Sequence, residues 1–134
     1  LLLSTPFQWN ILLMTLTLPN TIVSNKSLFQ WHQKCRQYML SINDQFDTSH
    51  RIDHIDRVLQ NALEIQDQHP SDINIILPAV MLHDCIPIDK RSPKRSQAST
   101  LSAQHATKLL KDWNYPTKYH AAIADAIASH SFLR

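Results

Sequence analysis

Glycine is absent from this 134-residue chain, and aromatic residues make up only 7% of it. Without glycine, any turn that needs a positive φ has to place Asn or Asp there, which disfavours hairpin-rich β architectures. Cysteine occurs twice, at Cys35 and Cys85, far apart and in no paired-motif spacing. That excludes a disulfide scaffold and suits two small core residues in a reducing cytoplasm. Excess charge is lacking as well: the net charge is +2, so no nucleic-acid partner is expected. Eight histidines make the charge depend on pH near neutrality.

Charge is missing altogether from Leu1 to Val23. Pro6, Gln8, Asn10, Pro19 and Asn20 interrupt that stretch, and it has no basic start, so it reads neither as a spanning helix nor as a signal peptide. Residues 1–25 are read as an extension outside the fold, with residues 26–134 as one domain and no membrane partner.

What the chain does contain is helical periodicity. Leu28, Trp31, Cys35, Met39 and Ile42 recur at steps of three and four, which predicts an amphipathic helix over 27–42. Asn43 to Asp47 reads as a loop. A second helix is expected from Thr48 or Ser49 to Gln68, with Ile52, Ile55, Leu59, Ala62 and Ile65 inward and His50 and His54 on a neighbouring stripe. His69-Pro70-Ser71 ends it. Asp72 to Asp84 is nearly all apolar and predicts a helix buried on most sides, with Pro78 either kinking it or opening a shorter one. An irregular basic connection follows over Ile86 to Gln97. Ser99 or Thr100 can then cap a fourth helix reaching Trp113, with Leu101, Leu109, Leu110 and Trp113 inward. After the turn Asn114-Tyr115-Pro116, a fifth helix carries Tyr119, Ile123, Ala126 and Ile127 to His130. The fold class is all-α. His32, His69, His105 and His120 are assigned to the surface or to polar helix faces, with no function.

The chemistry concentrates at Leu82-His83-Asp84, where an apolar helix delivers an imidazole and a carboxylate towards the interior. Burying both is costly unless something satisfies them, and a metal ion satisfies both. The doublet itself is no rarer than chance, which supplies about 0.6 such pairs in a chain of this composition. Its context is what matters. His54 sits on the preceding helix, and a mixed nitrogen and oxygen set of His54, His83 and Asp84 suits Mn, Fe, Co, Ni or Zn, or Mg with added waters. Consecutive helical residues diverge by about 100°, so both members of the doublet can grip one ion only if it sits off the helix end, beside the next helix.

His50-Arg51-Ile52-Asp53-His54-Ile55-Asp56-Arg57-Val58, followed by Leu82-His83-Asp84, resembles the signature of the HD-domain metal-dependent phosphohydrolases. The segment Lys90 to Leu110 and the stretch Ala126-Ile127-Ala128-Ser129-His130-Ser131-Phe132 are similar to later segments of a bacterial predicted-hydrolase subgroup of that family. The resemblance spans Asp47 to Phe132. It implies an HD-domain-like orthogonal bundle of about five helices and a divalent metal ion held by His54, His83 and Asp84. Asp84 and Lys90 become the candidate catalytic residues, and Arg57 and His130 candidate substrate contacts or supports of the ligands. The implied partner is a nucleotide or another small phosphate ester. Arg51 stands where relatives often carry Asp. The family also completes its site with an Asp beyond the His-Ser-Phe stretch, and no residue here matches it; Asp125 does not fit. Residues 26–134 therefore read as the N-terminal part of an HD domain. The alternative is an incomplete HD domain without catalysis, serving as a helical metal-binding or interaction module.

Overall fold

The first long helix starts where a side chain starts it. Asn25 accepts a hydrogen bond from the Leu28 amide at 3.1 Å, which caps α2 (Lys26–Ser41). Asp72 does the same for α4 (Ile73–Leu82), accepting from the Asn74 amide at 2.9 Å. The computed structural model describes residues 18–42, 48–68, 72–89 and 91–129. The remaining α-helices are α1 (Asn20–Val23), α3 (Thr48–Gln68), α5 (Ala98–Asp112) and α6 (His120–Ser129). Short 3₁₀ turns at Arg95–Gln97 and Thr117–Tyr119 lead into the last two. No strand occurs among the described residues, so the all-α class holds. None of their helices is long and apolar enough to cross a membrane. The expected loop at 43–47, the His69-Pro70-Ser71 break and the first 17 residues of the extension lie outside the described residues.

The fold is centred on α4. Every side chain from Leu77 to Leu82 is buried, and α2, α3, α5 and α6 all pack against this helix. Burying a side chain such as Val, Leu or Met is worth about 1.5–3 kcal/mol, so Val80, Met81 and Leu82 together anchor the helix end that carries the His-Asp doublet. Pro78 lies inside this helix rather than at its start. It has no N–H to offer the carbonyl of Asn74, four residues back. The Tyr115 hydroxyl, from the turn between α5 and α6, donates to that carbonyl at 2.5 Å instead. Between α2 and α3, Arg36 Nη1 donates to both oxygens of Asp56, at 2.6 and 2.7 Å.

Asn114 has φ 58°, the left-handed conformation that a chain without glycine has to assign to Asn or Asp. Other expectations need correcting. Ile22 is fully buried and Leu18 packs on the core, so packing reaches back beyond residue 26. Helix α5 begins at Ala98 with no side-chain cap, because the 3₁₀ turn before it supplies the start that Ser99 or Thr100 was expected to supply. Ile65 is 46% exposed although it shares the stripe of Ile52, Ile55, Leu59 and Ala62, which are buried. His32 and His120 are buried, not on polar faces, and His105 is half-buried within 2.7 Å of the Tyr38 hydroxyl. His32 falls between Leu28 and Cys35 on the inward stripe of α2, and it is buried along with these apolar neighbours. His69 lies outside the described residues.

Candidate metal centre

Helix α4 ends at Leu82, and His83 forms its C-cap with helical φ and ψ. The next residues turn away: the Cys85 amide bonds to Leu82 O at 3.1 Å, and Asp84 is left with 39% of its side chain exposed against 2% for His83. Helix α3 lies alongside α4 and brings the His54 ring to 5.6 Å from the His83 ring, centroid to centroid. His54 itself is exposed. One potential ligand atom from each of His54, His83 and Asp84 lies within 4.8 Å of the others. The three residues expected from the sequence thus meet at the end of α4 and beside α3.

The doublet is fixed from two directions. His83 Nδ1 lies 2.6 Å from the Val80 carbonyl oxygen. A carbonyl can only accept, so Nδ1 carries the proton, and in the neutral ring Nε2 presents its lone pair. That nitrogen is 3.5 Å from Asp84 Oδ2. A ring nitrogen and a carboxylate oxygen held this close can share a proton or a cation, and a backbone carbonyl orienting the far nitrogen is the usual support of a ligating histidine. On the other side, buried Ser102 of α5 accepts the Ile86 amide on its hydroxyl at 3.2 Å, while its carbonyl accepts the Cys85 thiol at 3.3 Å. The sequence offered no sign of this role beyond a small polar residue in an Ala-Ser-Thr-Leu-Ser-Ala run.

The donor set fits a divalent ion. Atoms sharing an ion at about 2.1 Å stand roughly 3–4 Å apart, so a spread of up to 4.8 Å closes with a small turn of the exposed side chains. Two imidazoles and one carboxylate leave further coordination positions to water or substrate.

Asp84 also faces an open cleft of about 550 Å³. Arg51 of α3 lines it, together with Pro87, Ile88, Asp89, Arg91 and Arg95 of the segment after the doublet. Arg95 Nη1 donates to Ile88 O at 3.0 Å, and the Arg91 amide donates to Asp89 Oδ1 at 2.9 Å, which fold this segment around the cleft. Arg57 is exposed on α3 and is not among the residues lining the cleft. Lys90, His130 and the side chain of His50 lie outside the described residues. Arg51, like Pro87, Ile88 and Asp89, is a cleft residue to which sequence reasoning assigned no role. The chain matches no protein-family model, no curated protein and no solved structure.

Proposed function

We propose that this chain is a divalent-metal-dependent phosphohydrolase domain of the HD type, acting on a nucleotide or another small phosphate ester. The observation that carries the reading is the meeting of His54, His83 and Asp84 within 4.8 Å, with Asp84 also lining a cleft that carries three arginines. His54, His83 and Asp84 would hold the divalent ion, which when bound would supply Lewis acidity towards water and a phosphoryl oxygen. Asp84 belongs both to the donor group and to the cleft wall, so it is the residue placed to orient or deprotonate the attacking water. The cleft arginines, with Lys90 beside them in sequence, offset the charge of the phosphate. The two free, buried thiols fit a reducing cytoplasm.

A second reading has its own support: this group supplies three donors among the described residues, and a metal-binding helical module needs no more. Metal analysis of the purified chain, followed by hydrolysis of p-nitrophenyl phosphate with added Mn²⁺, separates the two. Bound metal with activity that His83→Ala abolishes supports the hydrolase. Bound metal without hydrolysis of any phosphate ester leaves the module, and a chain that takes up no divalent metal sinks both.

A further inference from the structure

Resting on the hydrolase reading, we infer that the cleft beside the metal donors binds a second anionic group of the substrate, and that Arg51 and Arg95 hold it. The substrate would then be a phosphate ester carrying at least one more phosphate or a carboxylate, rather than a simple monoester.

Size is the first argument. A cleft of about 550 Å³ lies in the range of sites that enclose whole small molecules, roughly 300–1,000 Å³, and far exceeds the room needed by one phosphate at the metal donors. Charge is the second. Three guanidinium groups line the cleft against the carboxylates of Asp84 and Asp89, and Asp84 is committed to the metal group. The surplus is positive, and a planar guanidinium presents paired donors that match phosphate or carboxylate oxygens.

Origin is the third argument. The arginines come from two separate parts of the chain, α3 and the segment after the doublet. A solvated charge run would come from one. Arg51 is half-buried, and Arg95, although exposed, is tethered through Ile88 O. Arg91 differs: its side chain is 93% exposed and reaches Asp89 only at 3.8 Å, so it contributes charge at the mouth more than a fixed contact. Pro87 and Ile88 add an apolar surface between these charges, suited to the carbon frame of an organic phosphate.

The test is calorimetric titration of the full chain with orthophosphate, pyrophosphate and phosphoglycolate, run with saturating Mn²⁺ in cell and syringe so that the first phosphate has its ion, and repeated in chelator. Both dianionic-plus probes should bind at least tenfold more tightly than orthophosphate. A preference for pyrophosphate assigns a second phosphate, and a preference for phosphoglycolate assigns a carboxylate. Arg51→Gln should weaken the better probe at least tenfold, and Arg51→Lys should restore part of that loss. A parallel Mn²⁺ titration of Arg51→Gln should match the parent chain, which also shows that the variant is folded. If the two larger anions bind no better than orthophosphate, or if Arg51→Gln changes nothing, the inference is overturned. A parent chain that binds no Mn²⁺ but still binds the anions in chelator would overturn the hydrolase reading instead.

Discussion

The Tyr115 hydroxyl donates to the carbonyl oxygen of Asn74 at 2.5 Å, occupying the acceptor that Pro78 leaves without its helical donor. Tyr115 is buried, and burial holds its phenol above the ordinary tyrosine range, so it stays a donor at any working pH. Tyr115→Phe should therefore orphan a partly buried carbonyl and cost about 1–3 kcal/mol in urea unfolding. Pro78→Ala returns an N–H to that carbonyl, so the tyrosine substitution should cost less in the Pro78→Ala background. A double-mutant cycle with no coupling would contradict this account.

Acid should destabilise the protein through His32. Burial, with the Arg36 charge second, pushes this imidazole from 6.5 down to about 4. Because the folded value is the lower one, the unfolded chain takes up the proton first as pH falls. Stability present above pH 6.5 is lost progressively towards pH 4 and falls no further below it, amounting to about 2 kcal/mol at pH 5. Neither ring nitrogen of His32 has a hydrogen-bond partner among the described residues. His32→Leu should thus cost little at pH 7 and should flatten the pH profile between 6.5 and 4. Denaturant unfolding across that range reads both effects; a variant profile as steep as the parent's would assign the acid sensitivity elsewhere.

Divalent metal should raise the melting temperature. At a concentration one hundred times its dissociation constant, a ligand bound only by the folded state adds about 2.7 kcal/mol. His54 is exposed, so His54→Ala should barely alter the melting temperature of the metal-free chain while removing most of the rise with Mn²⁺ or Zn²⁺. His83→Ala should remove the rise as well and also lower the metal-free value, because it empties a buried position. An undiminished metal response in His54→Ala would exclude it as a ligand.

The thiols should be silent in the native protein. Cys35 and Cys85 are both buried and both pushed up to about 12, chiefly by burial. At pH 8 that leaves roughly one thiolate in ten thousand, against about one in ten for a thiol of ordinary value 9.0. An aromatic disulfide reagent should label neither residue in the folded chain and both in denaturant. Rapid native labelling would show that one of them opens to solvent.

The amino-acid sequence alone determined the five long helices, α2 to α6, because the periodic spacing of apolar side chains reports which residues share a face whatever the neighbours are. It also determined that Asn or Asp would take the left-handed turn, and Asn114 does. Of the site, the meeting of His54, His83 and Asp84 was expected from a His-Asp doublet ending an apolar helix, with a histidine on the helix before it. Tertiary structure decided the rest. A stripe does not say how far along it a partner reaches, so Ile65 ends exposed while His32, polar by type, ends fully buried. Nor does it say which arginine meets a cleft: Arg51 and Arg57 lie on one helix, yet only Arg51 lines the space that the segment after Asp84 closes around. That outcome depends on where a distant segment of chain returns, and helical periodicity carries no record of it.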